Sequence, residues 1–148
     1  MQPLKYSRIE DHPAVPVKQQ VMSFESLQGT WTNTNAGARG IAKVIVTEEG
    51  GALYLRIFGW QSPAFIDWGQ APIETVYARD VNSAEPMAFE ASYDLGFMHV
   101  QAQANFSLGL LVLACFNTFK DQSERQNYFS REFFRREKPH RQEQNGND

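Results

Sequence analysis

Short runs of alternating apolar and polar residues, separated by turn-forming residues, recur along the chain from Thr30 to Arg136. A period of two residues places successive side chains on opposite faces of a strand, so this pattern predicts β-structure. Glycine-containing turns such as Glu48-Glu-Gly-Gly51 separate the runs, as they do in hairpins. The predicted strands are residues 30–34, 41–47, 52–58, 75–80, 87–93, 97–105, 108–119 and 127–136.

Eight short strands without a long helix are typical of an all-β barrel or a β-sandwich. Both faces of the third and the seventh strand carry apolar residues, which favours the barrel. A closed sheet also leaves no exposed edge, and eight strands can enclose one small ligand. We therefore predict an eight-stranded antiparallel up-and-down β-barrel.

The pattern divides the chain into one domain and two flanking segments. The barrel domain is predicted at residues 23–137. Residues 1–22 hold three prolines and no sustained periodicity, which predicts an irregular leader. Residues 138–148 are polar, and we expect them to form a disordered tail.

Composition narrows the possible function classes. The 148 residues are 42% hydrophobic and 13% aromatic, which is the balance of a single folded domain. A net charge of −3 gives no general attraction to nucleic acid or to anionic membranes. The single cysteine excludes an intrachain disulfide, and the N-terminus lacks the apolar core of a signal peptide. No apolar run approaches the roughly 20 residues that span a bilayer, so we predict a soluble, cytoplasmic protein.

Signatures of catalysis, cofactors and metals are missing from the sequence. His12, His99 and His140 are far apart, and neither a phosphate-binding glycine loop nor a nucleophile elbow occurs. Cys115 lies within an apolar strand and is interpreted as an inert core thiol. We expect no cofactor and no metal, and the sequence favours a binding protein over an enzyme.

The stretch from Ser23 to Asn33 predicts one capped turn followed by the first strand. Its Gly29-Thr-Trp31 motif resembles the calycin superfamily, which comprises lipocalins, fatty-acid-binding proteins and avidins. With Ile45-Val-Thr47 and Gly51-Ala-Leu53, the first hairpin is most similar to that of the avidin group. The resemblance covers this first hairpin only.

The resemblance implies structural roles and one ligand contact. Gly29 and Trp31 are expected to close one end of the barrel, with a basic residue of the last strand lying across the indole. Arg135, or its neighbour Arg136, is the expected closing residue, because strand eight ends beside the start of strand one. Asn33, two residues after the tryptophan, is expected to contact a ligand.

The sequence departs from the biotin-binding members of the avidin group. No tryptophan follows Trp68, so the later strands lack the tryptophans that line a biotin pocket. Ser130-Arg-Glu132 stands where those members carry a final-strand aspartate. The resemblance therefore implies the fold without biotin binding.

Period two predicts which side chains face the barrel interior. If Trp31 faces inward, Asn33 does so too. Tyr93 lies on the aromatic, inward face of strand five and could bring a hydroxyl to the pocket mouth, and Tyr77 on strand four is similar. The inward residues predicted for strands two and three are Ala42, Val44, Val46, Leu53, Leu55 and Ile57.

Two strands can be oriented either way. His99 and Gln101 line the pocket if the polar face of strand six turns inward, whereas His99 is exposed if Met98 and Val100 form the core. Likewise Arg131 is either a buried cation that needs a carboxylate or an anionic ligand, or an exposed residue.

Residues 59–73 are too irregular for a predicted strand and too aromatic for an idle loop. We interpret them as a long loop that carries Trp60, Phe65, Asp67 and Trp68. Such a loop either gates or lines a ligand site at the barrel mouth, with Trp68 as a contact, or packs down on its own aromatic rings.

The leading hypothesis is a calycin-like barrel that binds a small, largely apolar ligand, with neither nucleic acid nor membrane as a partner. Its ligand-contacting residues would be Asn33, Tyr77, Tyr93, His99, Arg131 and Trp68. The outer face of strand three carries Tyr54 and Phe58, so a homo-oligomer that covers them is a reasonable expectation. One alternative is an enzyme on the same barrel, a cyclase or isomerase using Glu132 or His99, and another is a filled barrel that acts as an interaction module.

Overall fold

The computed structural model describes residues 22–61 and 64–138, and these form one closed barrel of eight antiparallel strands. The strands are β1 (Gly29–Asn33), β2 (Ile41–Glu49), β3 (Ala52–Gln61), β4 (Ala64–Ala78), β5 (Pro86–Asp94), β6 (Met98–Ser107), β7 (Leu110–Phe119) and β8 (Tyr128–Arg136). Each strand pairs with its neighbours in sequence, and β1 pairs with β8 to close the sheet. The predicted all-β, eight-stranded up-and-down barrel is confirmed.

The flanking segments can be described only at their inner ends. The predicted leader (1–22) and tail (138–148) lie almost entirely outside the described residues. Within the two described ranges, no helix has the length and apolar character needed to cross a membrane.

Two tight hairpins show why these residues form adjacent antiparallel strands. Gly50 and Gly51 both have positive φ, 58° and 85°, and they join β2 to β3 in a two-residue turn. Leu108 and Gly109 repeat this geometry between β6 and β7, with φ of 52° and 78°. Two successive positive φ angles give the turn a twist that matches the twist of the strands it joins, which fixes the pairing register.

The prediction of a long loop at 59–73 is wrong, because its described residues, 59–61 and 64–73, belong to paired strands. β3 continues to Gln61 and β4 begins at Ala64. These two residues pair with each other, so the two strands are hydrogen-bonded up to that point. The register shifts between Arg56 and Phe58. Such a bulge inserts an extra residue and interrupts the alternation that identifies a strand from its sequence.

The core consists of the inward side chains of the strands. Leu55 and Ile57 are fully buried, and Leu53 is nearly so, as predicted for β3. The prediction that Ala42 faces inward is wrong, because a register shift between Ile41 and Lys43 lets Ile41 take the buried position instead. The largest side chains that are fully buried are Phe89, Phe134, Leu27, Leu55, Ile57, Leu111 and Leu113.

Trp31 plugs one end of this core. Its indole is 4% exposed, and Nε1 donates a hydrogen bond of 3.0 Å to the carbonyl of Leu27. Leu27 belongs to the turn that precedes β1, and its own N–H donates to the carbonyl of Phe24 at 3.0 Å. Phe106 packs against the indole with ring centroids 5.4 Å apart.

Arg136, rather than Arg135, lies across the tryptophan. Trp31 pairs with Arg136 in the β1–β8 register, and the guanidinium carbon stands 6.0 Å from the indole centroid. Its Nη2 donates to the carbonyl of Glu25 at 3.1 Å, which ties β8 to the preceding turn. Arg135 pairs with Thr32, so its side chain points to the opposite face. We call the region around Leu27, Trp31, Phe134 and Arg136 the closed end.

Gly29 makes room for this arrangement. Its φ is +130°, and a Cβ placed there would lie 3.1 Å from Nε of Arg136. A side chain would therefore be strained and would press on the arginine. The structure therefore explains why a glycine occupies the first position of the Gly-x-Trp motif.

Candidate functional site

A cavity of about 250 Å³ opens at the end of the barrel opposite Trp31. We call it the cup. One wall comes from β2, β3 and β4 and the other from β7 and β8, with the β1–β2 loop at the rim. Its lining residues are Arg39, Gly40, Ile41, Gly59, Trp60, Ile66, Trp68, Cys115, Asn117, Tyr128, Ser130 and Glu132.

The inward faces of β7 and β8 change from apolar to polar along the barrel axis. In β8 the face begins with buried Phe134 near the closed end and continues through Glu132 and Ser130 to the mouth. Its neighbour β7 follows the same order, because Cys115 pairs with Ser130 and Asn117 pairs with Tyr128. Polar groups are therefore concentrated where the packed core gives way to the cup.

Glu132 lies partly buried in the wall of the cup. Its Oε2 accepts a hydrogen bond of 3.3 Å from the backbone N–H of Ile41. Burial raises the pKa of this carboxyl, and hydrogen bonds from the Ile41 N–H and the Asn33 side chain oppose part of that rise. Gly40 packs so closely that a Cβ there would lie 3.1 Å from Oε1.

No cation partner holds this carboxylate among the described residues. The ion pairs found there join Arg56 to Asp67, Arg79 to Glu85, Lys120 to Asp94 and Arg125 to Asp121. All four lie on exposed side chains. Glu132 thus combines partial burial with unused acceptor capacity.

Asn117 is the one buried polar residue of the described core, at 4% exposure. Its Nδ2 makes a long hydrogen bond of 3.5 Å to the carbonyl of Cys115, and Oδ1 has no partner. A buried acceptor without a partner costs about 1–3 kcal/mol, so such atoms are rare in folded proteins. In this position the oxygen is an acceptor that a ligand could use.

Cys115 contributes volume and a neutral thiol. Its side chain is buried, and burial, together with the charge of Glu132, raises the pKa of the thiol to about 12. The thiolate form is therefore scarce at neutral pH, and nucleophilic chemistry is not favoured. This agrees with the interpretation of Cys115 as an inert core residue.

The opposite wall of the cup is aromatic. Trp68 lies edge-to-face against Tyr93, with ring centroids 5.9 Å apart, and Trp60 packs against Phe65 at 5.1 Å. Gly59 gives the Trp68 indole its space, because a Cβ there would stand 2.8 Å from Nε1. Trp60 lies on the outer face of β3, because it pairs with Phe65 and both line a groove beside Lys43. The cup therefore presents the Trp68 indole on one side and oxygen acceptors on the other.

Of the predicted ligand contacts, Trp68 is the one that lines the cup. Tyr93 faces inward and is 5% exposed, but its hydroxyl is occupied by the backbone. It donates to the carbonyl of Leu55 at 2.8 Å, accepts from the N–H of Ile57 at 3.2 Å and lies 3.0 Å from the carbonyl of Gly69. Burial raises the pKa of this phenol, and the hydroxyl stabilises the irregular β3–β4 pairing.

Asn33 supports the β1–β2 loop. Its Nδ2 donates to the carbonyl of Ile41 at 2.9 Å, and its Oδ1 accepts from the N–H of Asn35 at 2.8 Å. It lines a separate outer groove of about 330 Å³, formed with Lys43, Phe65 and neighbouring residues. Both ends of its amide are therefore engaged by the chain itself.

The remaining predicted contacts point away from the interior. His99 is outside because Met98 and Val100 fill the core, which decides the orientation of β6. Tyr77 is exposed and donates to Oε1 of Glu90 at 2.8 Å. Arg131 lies outside beside Phe133, with its guanidinium carbon 5.3 Å from the ring centroid. The structure does not bring these three side chains to the cup.

Sequence reasoning missed Asn117 and Ser130 and named Glu132 only as an acid for the enzyme alternative. The available signal was the series Leu113, Cys115, Asn117 on β7, in which polarity rises at every second residue. That series becomes informative once the inward face is known.

Comparison of the chain with protein-family models, with curated proteins and with solved structures finds no match. The barrel and the geometry of the cup therefore carry the functional argument.

Proposed function

We propose that this protein is a calycin-like barrel that binds a small molecule in the cup. The single observation that carries the proposal is the buried, unpartnered Oδ1 of Asn117, a residue that lines the cavity at one end of the closed barrel. A filled barrel acting only as an interaction module would gain stability by replacing this asparagine with an apolar residue. A ligand that donates to Asn117 gives the asparagine a reason to be there.

The shape of the interior supports the same proposal. The closed end is packed around Trp31 and Phe134, whereas the other end holds about 250 Å³. At ~30 Å³ per water molecule, this space equals roughly eight waters. The volume of the cup is slightly below the usual range of small-molecule pockets, which begins at about 300 Å³. The ligand is therefore a compound of one ring or a short chain.

Both walls contribute to binding in this proposal. Ile66 and Trp68 bury the apolar part of the ligand, which supplies most of the driving force. Asn117, Ser130 and Glu132 fix its orientation through hydrogen bonds.

A ligand-observed NMR screen tests the proposal. The full chain is mixed with a set of small aromatic and aliphatic compounds, and binding is compared with that of two variants. Ser130→Phe places a ring in the cup, and Arg131→Phe places the same ring on the outside of the same strand. We expect binding to the wild type and to Arg131→Phe, and loss of binding in Ser130→Phe.

Two results would overturn the proposal. One is an absence of binding to the wild type at millimolar compound concentrations. The other is equal binding to the Ser130→Phe variant, which would place the compounds elsewhere on the surface. Circular dichroism of both variants establishes that each retains the β-sheet fold.

A further inference from the structure

Two residues in the polar wall of the cup carry oxygen acceptors with unused capacity. Asn117 offers an oxygen without a partner, and its residue is 4% exposed. Glu132 offers a carboxylate that accepts hydrogen bonds from the Ile41 N–H at 3.3 Å and from the Asn33 side chain, which leaves part of its acceptor capacity unused. Acceptors with unused capacity in a small cavity call for a ligand that carries hydrogen-bond donors.

The carboxylate adds a requirement for charge. Glu132 is partly buried and belongs to none of the ion pairs found among the described residues. A buried carboxylate is stabilised by a cation that lies close to it, and hydrogen bonds between charged partners are about twice as strong as neutral ones. A positively charged donor therefore suits this wall better than a neutral donor.

The aromatic wall favours the same type of ligand. Trp68 lines the cup together with the polar residues Asn117, Ser130 and Glu132. Indole is the side chain with the strongest attraction for a cation placed over its ring, and it also buries apolar carbon atoms. An organic cation with an apolar body can satisfy both properties at once.

We propose that the ligand of the cup is a primary ammonium compound with a small aromatic or aliphatic body. The ammonium group donates to the carboxylate of Glu132, and the body lies against Trp68. This inference rests on the proposed function, and it adds the chemical class of the ligand.

Arg39 is the cationic residue of the cup lining. It lies on the exposed β1–β2 loop at the rim, where water and salt screen its charge. Glu132 is screened less because it is partly buried. The attraction of a cation to Glu132 inside the cup therefore outweighs its repulsion from Arg39 at the rim.

Isothermal titration calorimetry with three matched compounds tests the inference. 2-Phenylethylamine carries the ammonium group, 2-phenylethanol replaces it with a neutral hydroxyl, and phenylacetate replaces it with an anion. We expect the amine to bind the full chain at least about tenfold more tightly than the other two compounds.

Two substitutions distinguish the effect of the carboxylate in the cup from the effect of the protein's overall negative charge. Glu132→Gln should weaken amine binding about tenfold and change 2-phenylethanol binding by less than about twofold. Glu137→Gln is the matched control, because Glu137 lies outside the cup and accepts a hydrogen bond from Thr32 at 2.7 Å. It should leave the preference for the amine unchanged.

The outcomes distinguish this inference from the function on which it rests. Equal affinities for the three compounds, tightest binding of phenylacetate, or an amine preference that survives Glu132→Gln would each overturn the ammonium inference. Compounds found in the NMR screen would still support a binding cup in those cases. No binding of the three compounds overturns the ammonium inference, and a negative NMR screen overturns the proposed function as well.

Discussion

The two ends of the barrel are built from the same strands but treat their polar groups in opposite ways. At the closed end, the indole N–H of Trp31 is bonded to Leu27, and Arg136 is bonded to Glu25. In the cup, Asn117 keeps a free acceptor, and Glu132 lacks a cation partner among the described residues. One end thus stabilises the fold, while the other retains the unsatisfied groups on which the proposed binding function rests.

The largest expected difference in stability is between substitutions of Trp31 at the closed end and of Trp68 in the cup. Trp31→Ala should lower the free energy of unfolding by about 3–5 kcal/mol, because it empties a buried ring site and removes the bond to Leu27. Trp68→Ala, in the wall of the cup, should cost about 1–2 kcal/mol. Urea denaturation of both variants measures this, and equal losses would remove the contrast between the two ends.

The next difference separates two adjacent arginines. Arg136→Ala should cost about 1 kcal/mol, because it removes the guanidinium from the Trp31 ring. Arg135→Ala deletes the same charge on the opposite face and should change stability by less than about 0.5 kcal/mol. The same denaturation measurement decides between them. A larger loss for Arg135 would contradict the assignment of Arg136 as the closing residue.

A substitution in the cup should raise the free energy of unfolding instead of lowering it. Asn117→Leu replaces an unpartnered acceptor with an apolar side chain of similar size, and we expect stability to rise by roughly 0.5–1 kcal/mol. Binding of small molecules in the cup should weaken in the same variant. Thr118→Leu, on the outer face of β7, is the matched control and should change neither property. A loss of stability in Asn117→Leu would mean that Asn117 has a structural role.

The smallest expected effect is a pH dependence. Because burial raises the pKa of Glu132, the folded state holds this proton more tightly than the unfolded state does. Its contribution to stability is therefore present below the ordinary glutamate pKa of 4.5 and is lost as pH rises through the folded-state value. Glu132→Gln should remove that loss, whereas Glu137→Gln should keep it. Unfolding curves from about pH 4 to pH 8 measure the difference.

The closed end could be predicted from the sequence because its signals are local. Gly29 and Trp31 stand two residues apart on one strand, and the order of the strands brings the end of β8 beside them. The choice between Arg135 and Arg136 could not be made, because a shift of one residue in register exchanges the two faces. The register that decides it pairs Trp31 with Arg136.

The cup could not be predicted because its position depends on features that periodicity hides. Bulges near Lys43 in β2 and opposite Ile57 in β4 shift the alternation of those two strands, so the strand character of β4 is hidden in the sequence pattern. On β8, aromatic residues occupy both faces, so the pattern alone does not orient Glu132 and Arg131. Only the packing of Phe134 into the core settles which of these charges faces the cavity.

A ¹H–¹⁵N NMR titration of the full chain with the tightest-binding compound of the screen tests the central claim most directly. The account predicts chemical-shift changes at the backbone amides of Gly59, Asn117, Ser130 and Glu132. It predicts none at Leu27, Gly29 or Trp31. Changes centred on the closed end, or no changes at saturating compound concentration, would contradict it.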